Sequence, residues 1–142
     1  MMSLFEMVKD ACREHFGEGQ VQEIEENQLE IAVLNDAQEA MFPVYLGFHS
    51  EHDVEMTAIL FQVPDVDADA FIAQCNQLNT QYPWVKFALD SGYLCAGMDL
   101  MLYTGDVEDI MSMLAALLQV ICSNLPALLG GERKRENDTV TQ

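Results

Sequence analysis

The histidines are the residues most easily recruited for catalysis or metal binding, and the sequence contains three of them. His49 and His52 stand in the tetrapeptide His49-Ser50-Glu51-His52, whose composition predicts an exposed turn between two strands. Its spacing differs from the helical H-E-x-x-H pattern of a zinc site, and His15 lies far away on a predicted helix. The histidine pattern therefore predicts no metal site.

The sequence contains four widely spaced cysteines and no C-x-x-C pair. This spacing favours reduced thiols in a cytoplasmic protein over a disulfide framework. Cys12, Cys75 and Cys122 fall on the apolar stripes of predicted helices, which indicates core positions. One alternative stays open, because Cys95 and His49 on predicted strands could meet in space as the nucleophilic pair of a thiol-dependent enzyme.

A run of aspartates resembles the opening of an EF-hand calcium loop. After Asp65, Asp67 and Asp69, however, the sixth and twelfth loop positions are Ala70 and Asn76, where calcium binding needs glycine and glutamate. The aspartates instead predict a helix start, where carboxylates can cap free amides and favour the positive end of the helix dipole.

Two further acidic clusters lie on a predicted hairpin and at a predicted helix start, where carboxylates are normally solvated. They are Glu23, Glu25, Glu26 and Glu30 on the hairpin, and Asp106, Glu108 and Asp109 at the helix. General acid–base catalysis needs carboxylates in a partly buried cleft. No glycine-rich phosphate-binding motif occurs either. We therefore predict no catalytic residue, no cofactor and no enzymatic activity.

The charge is strongly negative, with 6 Lys and Arg against 24 Asp and Glu and a net charge of −18. Three of the basic residues, Arg133, Lys134 and Arg135, lie in the last stretch of the chain, where three acidic residues balance them. Residues 1–131 therefore carry the whole charge, 3 − 21 = −18. Phosphate backbones and anionic lipids need a positive surface, so we expect no nucleic-acid partner and no membrane partner.

Hydrophobic periodicity predicts an α+β fold. Apolar residues that recur at steps of three and four predict a helix over 4–16 with Ser3 as its cap. Alternating apolar and polar residues predict strands over 21–24, 29–34, 42–49 and 54–63. A second helix follows Pro64 and stops before Pro83, and a hairpin follows it with strands over 84–89 and 93–103, where Gly97 indicates a bulge. With the last helix, the predicted order is α-β-β-β-β-α-β-β-α, helices packed on an antiparallel sheet.

The last helix is predicted to run from Asp106 to about Leu129, with Gly130 and Gly131 as stop signals and Pro126 distorting its end. It is apolar around most of its circumference, which indicates a core helix or one shared with a protein partner. We predict a homodimer or partner surface formed by Met98, Met101, Met111, Leu114, Leu117, Leu118 and Ile121. The domain is predicted to span 1–131, followed by a disordered charged tail over 132–142.

These patterns together resemble the YbjN family of bacterial proteins. The resemblance rests on the strand Val54 to Val63 with Pro64-Asp65 after it, on Cys75-Asn76-Gln77-Leu78-Asn79, on Phe87-Ala88-Leu89-Asp90 before the Gly92 turn, and on the apolar last helix. It implies a fold similar to class I type III secretion chaperones and a non-enzymatic regulator or chaperone-like dimer that binds another protein in the cytosol. A secretion chaperone for a secreted effector is the alternative role that it implies.

Overall fold

The computed structural model describes residues 2–102 and 106–140, with side-chain surroundings up to Gly130. Helix α1 spans Leu4–Phe16, as predicted, and the Ser3 Oγ accepts a hydrogen bond from the Glu6 N–H at 3.2 Å. Gly17 ends the helix at φ 109°, a conformation that glycine adopts without strain. A short 3₁₀ turn, Glu18–Gln20, leads into the sheet.

The sheet has six strands, β1 Val21–Glu25, β2 Gln28–Leu34, β3 Ala40–Ser50, β4 Asp53–Gln62, β5 Lys86–Asp90 and β6 Tyr93–Met101. Their spatial order is β1-β2-β3-β4-β6-β5, and every neighbouring pair is antiparallel. Helix α2, Ala68–Gln81, follows β4, and helix α3, Val107–Val140, follows β6. The predicted fold class and element order are confirmed.

One face of the sheet forms the core with α1 and α3. Alternate residues of the strands are buried there, including Leu29, Ile31, Val44, Leu46, Met56 and Leu94. Helix α1 contributes Leu4, Phe5, Val8 and Cys12, and α3 contributes Ile110, Leu114, Leu117 and Ile121. Helix α2 lies instead against the edge strand β5. Among the described residues, no helix therefore covers the opposite face of the sheet along its central strands.

Gly97 does not mark a bulge, because it pairs in register with Thr57 of β4 and Lys86 of β5. The irregularity of this strand pair lies between Ile59 and Phe61. A Cβ atom on Gly97 would lie 2.5 Å from the backbone oxygen of Met56. Glycine is required here because the neighbouring backbone approaches too closely for any side chain.

The two later helices differ from prediction at one end each. Asp65–Asp67 forms a 3₁₀ turn, and the side chain of Asp67, the N-cap of α2, makes no capping hydrogen bond. Helix α3 continues past Gly130 and Gly131 to Val140. Disorder of the charged tail over 132–142 stays a prediction, and 141–142 lie outside the described residues. Interior glycine costs a helix only about 1 kcal/mol, and the Glu, Lys and Arg that follow are strong helix formers.

Candidate binding surfaces

The uncovered face of the sheet contains a trough whose floor includes two glycines. Gly47 of β3 pairs with Glu55 of β4, and Gly97 of β6 pairs with Thr57 of β4. Two clefts of 410 and 330 Å³ meet at Glu55 and Thr57. The sheet trough, as we call it, is lined by Glu25, Glu26, Tyr45, Gly47, His49, Glu55, Thr57, Trp84, Lys86, Asp90, Gly97 and Asp99.

The sheet trough is predominantly anionic. Five carboxylates line it, those of Glu25, Glu26, Glu55, Asp90 and Asp99, against the single ammonium group of Lys86. The His49 Nε2 lies 3.0 Å from the Glu55 Oε2. This hydrogen bond is the main cause that raises the pKa of His49 above 6.5, and the charges of Asp53, Glu55 and Asp99 act in the same direction. Because an imidazole is the side chain whose charge ordinarily changes nearest neutral pH, His49 is the group of the trough that can respond to physiological pH.

The outward face of α3 has the opposite character. From Ile110 to Gly130 the helix contains no charged residue. The α3 strip, as we call the exposed face of this stretch, consists of Ser112, Ala115, Gln119, Cys122, Ser123, Pro126, Ala127 and Gly130. Two apolar clefts flank it: one of 360 Å³ against Met41, and one of 90 Å³ against His15 and Phe16. This strip is an uncharged surface on a body of net charge −18.

Residues Val107–Gly130 of α3 are long and apolar enough to cross a membrane, by length and composition alone. Of their most apolar stretch, 28% is buried within the protein. The buried members include Ile110, Leu114, Leu117 and Ile121, which pack in the core. Core helices of globular proteins have the same length and composition, so the helix gives only weak evidence for a membrane span.

The seven residues predicted as a partner surface do not share one face. Leu114, Leu117 and Ile121 are at most 1% exposed and belong to the core, and Met98 is 7% exposed. Met111 and Leu118 are half-buried beside Phe16 in the smaller cleft. Among the seven, Met101 alone is exposed, at 79%, at the end of β6. Four of the seven predicted residues therefore lie in the core, since periodicity alone does not say which apolar positions remain outside, and the partner surface itself stays a prediction.

The cysteines show no activated thiol. Burial is the largest cause that raises the pKa of each thiol, to about 12 for Cys12. Cys12 and Cys75 are buried as predicted, but Cys122 is exposed, which corrects its predicted core position. Cys95 contacts the backbone oxygen of Tyr93, whereas His49 contacts Glu55 on β4, the strand that separates β3 from β6. The Cys95–His49 pair is therefore not formed.

The acidic clusters of the sequence have structural partners or face solvent. The Asp106 Oδ1 accepts a hydrogen bond from the Glu108 N–H at 2.9 Å and so caps α3. Glu23 binds the Lys9 ammonium at 3.3 Å, which joins β1 to α1. Across the part of the chain that the structure describes, no group of three His, Cys, Asp or Glu side chains is arranged to hold a metal ion.

Sequence reasoning missed the sheet trough. Its two glycines lie on strands that were predicted correctly, and both fall at outward positions of the alternation. The missing information was the register that sets Gly97 opposite Thr57 and Gly47 opposite Glu55. Non-local pairing of this kind is not encoded in the periodicity of either strand alone.

Comparison with known proteins gives one family and one fold. The model of the YbjN family, described as a putative bacterial sensory transduction regulator, matches residues 5–129. No curated protein matches the sequence.

The fold is shared with several solved structures. The HopA1–SchA chaperone–effector complex contains a chain with a TM-score of 0.57 and 13% identity, which covers 84% of this chain and 91% of its own length. The ExsC–ExsE complex contains a chain with a TM-score of 0.53 and 20% identity, and the match covers 83% of this chain and 90% of that one. The structure of the Yersinia pestis type III secretion chaperone SycH, bound to a fragment of YscM2, gives a TM-score of 0.54 and 13% identity. This match covers 87% of this chain and 98% of that one. TM-scores above 0.5 at identities this low establish a common fold alone.

Proposed function

The chain belongs to the YbjN family, and from this premise we propose that it is a non-enzymatic, cytoplasmic protein-binding domain that forms a homodimer through the α3 strip. Its role is then that of a regulator or chaperone-like protein rather than of a catalyst. The observation that carries the proposal is the absence of charge along α3 from Ile110 to Gly130.

Electrostatic repulsion decides where two copies can meet. Each copy carries a net charge of −18, so most approaches bring carboxylates together. Contact through the α3 strip avoids this cost, because Ser112, Ala115, Gln119 and Ser123 are small or neutral and exposed. The 360 Å³ cleft formed with Leu125, Pro126 and Leu129 can receive an apolar side chain of the second copy.

The test is the solution mass of the full chain, measured by light scattering at micromolar concentration. We expect twice the 15.9 kDa chain mass. The double variant Gln119→Glu/Ser123→Glu places two carboxylates on the α3 strip and is expected to be monomeric. The control Asn76→Glu/Gln77→Glu adds the same charge to exposed positions of α2 and is expected to remain dimeric. A monomeric wild-type chain, or a dimer that tolerates the α3 variant, would refute the proposal.

A second candidate role is that of a secretion chaperone for a secreted effector. The observation that favours it is the coverage of the SycH chain, of which 98% is matched by this fold. Co-purification from the native host distinguishes the two roles. A single larger secreted protein bound to the dimer would support the chaperone role, and intracellular regulatory proteins would support the first proposal.

A further inference from the structure

We propose that the sheet trough is a second binding site, which takes an extended, arginine-rich segment of a protein partner. This site lies on the face of the sheet opposite α3, so it does not depend on the dimer proposed above.

The shape of the trough fits an extended chain that crosses the strands. It runs from Glu25 and Glu26 near β2, over β3, β4 and β6, to Lys86 and Asp90 on β5. Four interstrand spacings correspond to about 19 Å, which is the length of about six extended residues. Gly47 and Gly97 carry no side chains, which lowers the floor of this path on either side of Glu55 and Thr57 of β4.

The charge of the trough selects the sign of the ligand. Carboxylates occur along the whole path, from Glu25 and Glu26 at one end through Glu55 and Asp99 in the middle to Asp90 at the other end. None of these five carboxylates has an ion-pair partner among the described residues except Glu55, which contacts His49. A cationic segment would meet carboxylates at both ends and in the middle of the path, with Lys86 as the single cation of the lining, whereas nucleic acid or an acidic peptide would be repelled.

Two aromatic rings favour arginine over lysine. Tyr45 lines one half of the trough, and Trp84, 43% exposed, lines the other half. A planar guanidinium group can stack on these rings while it donates paired hydrogen bonds to a carboxylate. An ammonium group is a compact point charge, which can lie over a ring but does not present this paired geometry. In an extended segment every second side chain points to the same face, so alternating arginines would all point into the trough.

The test is fluorescence anisotropy with the full chain and a labelled peptide of alternating arginine and threonine. We expect saturable binding that weakens between about 50 and about 300 mM salt as the charges are screened. Unlabelled peptides in which glutamine or glutamate replaces arginine should not compete. A labelled peptide of alternating lysine and threonine should bind more weakly.

Variants locate the binding site. Glu25→Gln/Glu55→Gln/Asp99→Asn removes three trough carboxylates and should weaken binding about three- to thirtyfold. Asp10→Asn/Asp65→Asn/Asp69→Asn removes the same charge from exposed positions outside the trough and should retain most of the affinity. Equal weakening by both triple variants would show general electrostatic attraction and would overturn the proposal. Urea midpoints of both variants show that each is folded.

The arginines of the chain's own tail are the competing occupant. An unlabelled peptide covering 131–142 contains Arg133, Lys134 and Arg135. It should compete weakly, because three acidic residues accompany its basic ones. Competition as strong as that of the arginine–threonine peptide would assign the trough to the tail and overturn the proposal. The solution mass of the triple trough variant, measured by light scattering, shows whether the dimer persists when peptide binding is weakened, so the two proposals can fail independently.

Discussion

The side-chain amide of Asn79 on α2 satisfies both outward main-chain groups of Phe87 on β5. Its Oδ1 accepts from the Phe87 N–H at 2.6 Å, and its Nδ2 donates to the Phe87 carbonyl at 3.0 Å. Strand β5 is an edge of the sheet, and an edge with free N–H and C=O groups is a template for unwanted pairing with other chains. Asn79 thus replaces the missing neighbouring strand at this point.

Removal of this amide should destabilise the domain. Asn79→Ala leaves a part-buried N–H and C=O without partners, which costs about 1 to 3 kcal/mol, although alanine is the better helix former. Asn76→Ala, at an exposed position of the same helix, should be neutral or stabilising. Urea unfolding followed by circular dichroism measures both. A loss of less than about 0.5 kcal/mol in Asn79→Ala would show that water replaces the amide at no cost.

Gly47 and Gly97 should respond oppositely to alanine. A Cβ on Gly47 has only an ordinary contact, 3.9 Å from the His49 Nε2, so Gly47→Ala should be neutral or should stabilise the strand by up to about 1 kcal/mol. A Cβ on Gly97 would collide with the backbone oxygen of Met56, so Gly97→Ala should destabilise by about 1 to 3 kcal/mol. Thermal or urea unfolding of the two variants gives the comparison. Similar effects in both would contradict the strand register.

These two residues also show how far sequence reasoning reaches. Local signals identified nearly every element, because Ser3 and Gly17 bound α1 and strand alternation repeats at every second residue. The clash at Gly97 depends on the path of β4, which is distant in sequence from β6. Likewise, Leu114 and Leu118 are leucines on the same helix, and only the tertiary packing buries the first and leaves the second half-buried. The continuation of α3 past Gly130 was missed because stop signals act through small free energies that neighbouring residues can outweigh.

The reactivity of the cysteines should follow their exposure. Cys122 is exposed and Cys95 is half-buried, whereas Cys12 and Cys75 are buried. Since burial raises the pKa of all four thiols, none should carry an activated thiolate at neutral pH. Labelling with iodoacetamide, followed by mass spectrometry, should modify Cys122 first, at or below the rate of a model thiol, and Cys12 last.

Two controls accompany the labelling experiment. Cys122→Ser should abolish the fastest phase without affecting the fold. In denaturant all four cysteines should react at similar rates. A cysteine that reacts faster than the model thiol in the folded chain would support the thiol-dependent enzyme considered from the sequence.

The His49–Glu55 pair should make binding in the sheet trough depend on pH. The pKa of His49 is raised above 6.5 by Glu55, Asp53 and Asp99 from the neighbouring strands. Below this pKa the imidazolium neutralises part of the trough, and above it the trough gains one negative charge. The affinity for the arginine–threonine peptide should therefore increase as the pH rises through the raised pKa. Anisotropy titrations between about pH 5.5 and 8.5 measure this change.

Stability should change in the opposite direction. A histidine with a raised folded pKa contributes stability below its unfolded pKa of 6.5, and this contribution is lost as the pH rises through the folded value. Because the pair is exposed, the change in the urea midpoint should be small. His49→Asn keeps a polar side chain beside Glu55 but removes the titrating group, so both pH dependences should flatten. His15 and His52 lie outside the trough, and an affinity change that persists in His49→Asn would show that another group controls binding.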